Sequence, residues 1–149
     1  MHLTKESEYA LLGLAALANR PSGSVVSLAM IAESEGLPRT FLSKIFRKLS
    51  RHRLLTSARG RGRGYALARP AESIPIREIL KAVEGSSVFQ QCLLWSGNCS
   101  EDDPCPLHPW LAQLRPNLEA VLEETTLADY VAHSGHFKAH LARLEKRKA

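Results

Sequence analysis

The stretch LAMIAESEGLPRTFLSKIFRKLSR, residues 28–51, decides the fold. Ser27, just before it, can cap a helix running from Leu28 to Glu35, because its hydroxyl accepts from a first-turn amide. Gly36 ends that helix as a glycine in the C′ position does. Pro38 then opens another helix at a place where its missing N–H costs nothing. There Phe41, Leu42, Ile45, Phe46 and Leu49 make an apolar stripe of helical period. The other face carries Arg39, Thr40, Ser43, Lys44, Arg47, Lys48 and Arg51. A short helix, a tight glycine turn and a basic amphipathic helix are the order of a helix-turn-helix.

Just after that helix, Leu54 to Ala58 and Tyr65 to Leu67 read as two strands. Arg59-Gly60-Arg61-Gly62-Arg63-Gly64 joins them, and its alternate glycines permit the positive φ that a hairpin uses. The expected fold class is mainly α with a small β wing: a winged helix-turn-helix. Upstream, Thr4 caps a helix reaching about Asn19, with Glu6 and Glu8 in its first turn and Tyr9, Leu12, Ala16 and Leu17 on one side. Downstream, a helix from Pro75 to Val83 buries Ile76, Ile79, Leu80 and Val83 and ends at Gly85. From Trp110 to Glu124, Leu111, Leu114, Leu118, Val121 and Leu122 keep a near coiled-coil spacing, with Pro116 expected to kink the helix. Thr126 to Ala132 reads as one more short helix.

A formal charge of +5 and a pI near 9.4 favour a polyanionic partner. The cations cluster: between Pro38 and Pro70 there are ten Lys or Arg residues and no Asp or Glu. That concentration favours DNA over an ordinary solvated face. On a recognition helix the N-terminal residues meet base edges, which places Arg39, Thr40, Ser43 and Lys44 there and Arg47, Lys48 and Arg51 on phosphates. Arg59, Arg61 and Arg63 on the thin hairpin suit a minor groove. No apolar run has the length of a secretion signal or a membrane span, so a cytoplasmic protein with no membrane partner is expected.

Cys92, Cys99 and Cys105 are the chain's three cysteines, and with His108 they occupy seventeen residues, spaced Cys-x6-Cys-x5-Cys-x2-His. An odd cysteine number argues against a closed disulfide framework. A loop bearing Ser96-Gly97-Asn98 and Glu101-Asp102-Asp103 is no helix core, so ligation of a thiophilic metal is the better reading than packing. Three cysteines and one histidine would close a zinc site, yet the short Cys-x2-Cys hook of such sites is absent. An iron–sulfur cluster tolerates wider spacing and wants four ligands, leaving one place for which His108 is the local candidate. A nucleophile–base pair of Cys105 and His108 ranks last, because no oxyanion loop accompanies it.

Leu3-Thr4-Lys5 with Tyr9-Ala10-Leu11, the wing ending Gly64-Tyr65, the helix Ile76 to Val83, the three cysteines and Thr126-Leu127-Ala128-Asp129 together resemble the IscR/NsrR family of winged-helix iron–sulfur transcription regulators. The resemblance covers essentially the whole chain. It implies a homodimer crossing along Trp110 to Glu124, a palindromic operator in double-stranded DNA, and a cluster bound by Cys92, Cys99 and Cys105. It further implies a repressor, not an enzyme, that senses redox state, nitric oxide or iron–sulfur status; a zinc-stabilised DNA-binding protein is the alternative. Cys105-Pro106-Leu107-His108 resembles the biogenesis regulators, where that histidine completes a [2Fe-2S] site. In nitric-oxide-sensing relatives an acid on the first helix of the other subunit is the ligand, and Glu8 occupies that position here. The contiguous histidine motif favours [2Fe-2S] over [4Fe-4S]. The chain departs from the family in Arg61 and Arg63 at the wing tip and in Pro116 within the dimer helix. The expected organisation is a DNA-binding unit over 1–70, a cluster-binding loop with dimerisation helices over 71–132, and a basic tail over 133–149.

Overall fold

The computed structural model describes residues 1–94, 97 and 100–135; Cys99 and most of the expected tail lie outside the described residues. Helix α1 spans Lys5–Ala18, and the Thr4 hydroxyl at its cap accepts from the Glu6 amide at 3.2 Å. Helix α2 spans Leu28–Glu35, capped by Ser27 and closed by Gly36 at φ +64°, as the sequence predicts. Helix α3 spans Arg39–Arg51. Pro38 stands one place earlier than expected, as the cap residue with an extended ψ of 117°.

Strands β1 (Leu55–Ala58) and β2 (Gly64–Leu67) pair antiparallel, with Leu55 opposite Leu67 and Ala58 opposite Gly64. Helix α4 (Ile76–Glu84) and helix α5 (His108–Glu124) follow, and α6 occupies residues 127–135. Thr126 caps α6 reciprocally with Asp129: each side chain accepts the other's backbone amide, at 2.9 and 3.2 Å. The Thr126 amide and the Thr126 hydroxyl, which both donate to its carboxylate, hold the Asp129 carboxyl below its ordinary range. The expected tail therefore begins with helix at His133 to Gly135.

The core runs unbroken from Ala10 and Leu14 through Leu42, Ile45, Phe46 and Leu49 to Ile74, Ile79, Leu80, Val88 and Leu127. Two expectations about faces need correcting. On α1 the buried side is Ala10, Gly13, Leu14 and Leu17, while Tyr9, Leu12 and Ala16 are only half-buried. The reason is Gly13, where an added Cβ would lie 2.7 Å from the Phe46 ring, so bare backbone admits that ring between α1 and α3. On α3, Phe41 is 52% exposed, although it belongs to the apolar stripe.

The wing is fastened at its root. Tyr65 exchanges two backbone hydrogen bonds with Val26, of 2.9 and 2.8 Å, and its ring meets Phe46 edge-on at 5.0 Å. Gly60 and Gly62 use positive φ at the tip, as expected. Gly64 is needed for space instead, because a Cβ there would lie 2.4 Å from the Val26 carbonyl oxygen.

Candidate functional site

Buried Leu42, Ile45, Phe46 and Leu49 turn the opposite side of α3 outward. Arg39, Thr40, Lys44, Arg47 and Arg51 are exposed on it and Ser43 is half-buried. Arg59, Arg61 and Arg63 are exposed on the wing. A cleft of about 300 Å³ between α2, α3 and the wing root is lined by Ser27, Leu28, Arg39, Arg63 and Tyr65, so recognition helix and wing border one concave surface. Among the described residues none of these arginines, nor Lys44, stands in an ion pair; Lys44 instead lies 5.8 Å from the Phe41 ring centre. Cationic side chains without acidic partners keep their charge for an outside polyanion.

Lys48 differs. Its ammonium forms a close ion pair with Glu6 on α1 and donates to the Val83 carbonyl at 3.1 Å. Neither Glu6 nor Val83 stands out in the sequence as a partner for a basic face.

The cysteine segment leaves the core through the buried Val88 and Phe89. Cys92 is buried and Cys105 partly so, and their sulfurs lie 3.8 Å apart across thirteen residues of chain. Backbone bonds shape the loop: the Cys92 amide donates to Gly97 O, and the His108 amide donates to Cys105 O, both at 2.9 Å. Helix α5 starts at His108, two residues before the expected start at Trp110, so the histidine sits on its first turn beside Pro109. The Met1 amino group donates to the carbonyls of Gln91 and Cys92, each at 2.7 Å, binding the N-terminal segment to the loop.

Glu8, the other candidate ligand, pairs with Lys5 at 2.5 Å. Burial, then the charges of Glu35 and Glu8, push the Tyr130 phenol up. Among the described residues no group of three His, Cys, Asp or Glu is gathered closely enough to hold a metal ion, and Cys99 is not among them. The donors that do converge, the thiols of Cys92 and Cys105, fit a thiophilic group and not a hard cation.

A helix-turn-helix with a fastened wing and an outward cationic face defines a winged-helix transcription regulator. The Rrf2 model, described as an iron-dependent transcriptional regulator, matches residues 3–133, and the chain belongs to that family. A Mycobacterium tuberculosis (strain H37Rv) protein that carries the name of an HTH-type transcriptional regulator is 37% identical over 148 residues, covering 97% of this chain and 88% of its own. The HTH-type transcriptional regulator IscR of Escherichia coli O1:K1 is 32% identical over 131 residues, covering 88% of this chain and 80% of its own. Among solved structures, IscR of T. potens superposes with a TM-score of 0.69 at 27% identity, covering 90% of this chain and 88% of that one. CymR, the global cysteine regulator of B. subtilis, shares the fold with a TM-score of 0.73 at 23% identity, covering 89% and 98%. The protein is thus a transcriptional regulator of the Rrf2 family and not an enzyme. Among its described residues no helix is long and apolar enough to cross a membrane.

Proposed function

We propose that this regulator is a homodimeric repressor whose binding to a palindromic operator is governed by an iron–sulfur cluster held by Cys92, Cys99 and Cys105. The observation that carries the reading is the convergence of the Cys92 and Cys105 thiols at 3.8 Å, in a segment joining the core to α5. The similarity to IscR proteins supports the same cofactor. His108 on the first turn of α5 is the fourth-ligand candidate nearest in sequence, which favours a [2Fe-2S] group. When bound, such a group supplies a centre that oxidation, nitric oxide or loss of iron can alter.

The chain's own residues supply the rest. Arg39, Thr40, Ser43 and Lys44 face base edges, Arg47 and Arg51 face phosphates, and the wing arginines enter the adjacent minor groove. Residues 1–70 thereby read DNA, and residues 71–132 carry the cysteine loop and the dimer helix. Helix α5 buries no residue of its own and leaves Trp110, Leu114 and Val121 more than half exposed, which suits a second copy of the chain. If the cluster binds two dimer conformations unequally, it shifts their populations and with them the spacing of the two recognition helices.

Anaerobic purification tests the cofactor. A coloured protein with thiolate-to-iron absorption and matching iron and sulfide is expected, whereas a colourless protein with stoichiometric zinc sinks the reading. The DNA surface has its own test. Arg61→Ala with Arg63→Ala should lower the log–log slope of affinity against salt by roughly one unit for each phosphate that the wing no longer neutralises. An unchanged slope and affinity would remove the wing from the interface.

A further inference from the structure

Lys48 lies on the recognition helix, yet its charge is spent inside the protein. The spacing of seven residues puts it on the same flank of α3 as Phe41, turned away from the centre of the cationic face. Its ammonium meets Glu6 in the first turn of α1 and the Val83 carbonyl in the last turn of α4. The last carbonyls of a helix lack intrahelical partners and attract cations, so Lys48 caps α4 from another helix.

The same junction is closed from the other side by Glu84. One of its carboxylate oxygens accepts from the Thr4 amide at 2.8 Å, the Thr4 hydroxyl at 2.7 Å and the Ser7 hydroxyl at 2.6 Å. Burial works against this charge, but those hydrogen bonds and Lys48 outweigh it and hold the carboxyl below its ordinary range. An acid in the last turn of a helix opposes the helix dipole. Its retention there follows from these partners. Three helices therefore meet at Lys48, Glu6, Val83 and Glu84. From there α4 leads within eight residues to Cys92, whose carbonyl holds the N-terminal segment that precedes α1.

From this junction we infer that Lys48 is a positioning residue for operator reading. Through Glu6 and the Val83 carbonyl it fixes the angle of α3 against α1 and α4, the elements adjoining the cysteine segment, and it touches no phosphate. The inference rests on the operator-reading part of the proposed function and does not require the cluster.

The signs of two substitutions separate this role from plain electrostatics. Removing an acid near DNA strengthens binding if only charge matters, whereas Glu6→Gln should weaken it if Glu6 orients the helix. Wild-type protein, Lys48→Met, Lys48→Arg and Glu6→Gln would be titrated with two duplexes at several salt concentrations. One duplex is the sequence that the wild type enriches from a random pool, and the other is of mixed sequence.

Lys48→Met and Glu6→Gln should each bind the enriched duplex roughly three- to tenfold more weakly, with mixed-sequence binding and salt slope unchanged. Lys48→Arg should restore wild-type values. Thermal unfolding confirms that each variant is folded at the assay temperature, and Glu6→Gln, at a half-exposed position, keeps the test alive if Lys48→Met is not. Equal weakening on both duplexes with a slope reduced by about 0.9 would make Lys48 a phosphate ligand and overturn the inference. Tighter binding by Glu6→Gln overturns it as well. A wild type that enriches no sequence would instead strike at operator reading itself.

Discussion

Phe46→Ala is expected to lower the free energy of unfolding by about 3–5 kcal/mol and to abolish DNA binding at temperatures where the wild type is fully folded. The ring is completely buried. On one side it fills the space that Gly13 leaves on α1, and on the other it receives the Tyr65 ring edge-on at 5.0 Å and 83°. One side chain therefore joins the first helix, the recognition helix and the wing root. Its removal leaves a cavity that rigid backbone at Gly13 and the Val26–Tyr65 pairing cannot close. Edge-on aromatic contact adds about 0.5–1.5 kcal/mol beyond the area buried. Against a total stability of about 5–15 kcal/mol, the loss is a large fraction. Urea unfolding followed by circular dichroism measures it. Phe41→Ala is the control on the same helix: more than half exposed, it should cost no more than about 1 kcal/mol. Similar costs at both positions would show that the stripe, and not the junction with Gly13 and Tyr65, sets stability.

That contrast marks how far the sequence could be read. Periodicity identified α3 and its inner face because burial repeats with the helix, and it placed Ile76, Ile79, Leu80 and Val83 correctly for the same reason. Local chemistry did equally well at Ser27, Gly36 and Thr4, where a cap depends on residues only three positions apart. What escaped was decided at long range. A stripe gives the direction of a face but not how wide the covering elements are, so Phe41 reads like Leu42 until α1 and α4 are in place. Gly64 reads as a turn glycine, whereas Val26, thirty-eight residues earlier, is what requires its missing Cβ. Lys48 reads like Arg47 because nothing local announces Glu6 or Val83. The cysteines were legible as a group from their spacing, but the approach of Cys92 to Cys105 was not. Irregular loops have no period from which to infer which residues meet.

Cys92→Ala and Cys105→Ala should each remove essentially all bound iron and sulfide while leaving the fold intact. A cluster that wants four protein ligands and finds three cysteines has none to spare. The fold does not depend on either thiol in the way it depends on Phe46, because neither belongs to the contiguous hydrophobic cluster and the buried Cys92 loses only one small atom on truncation to Ala. Iron and sulfide analysis with far-ultraviolet circular dichroism separates the two outcomes. A folded Cys92→Ala protein that keeps its full iron would refute ligation by that residue. The fourth position is then resolved by His108→Ala and Glu8→Ala. The His108 amide is bonded to the Cys105 carbonyl, so the start of α5 moves with a proposed ligand, and His108→Ala should shift the visible and electron paramagnetic resonance spectra. Glu8 is occupied by Lys5 on its own helix, but a pair so exposed to solvent holds its partners only weakly and could be exchanged for a better partner. A spectral change from Glu8→Ala with none from His108→Ala would therefore move the fourth ligand to the first helix of the other protomer and turn the preference from [2Fe-2S] to [4Fe-4S].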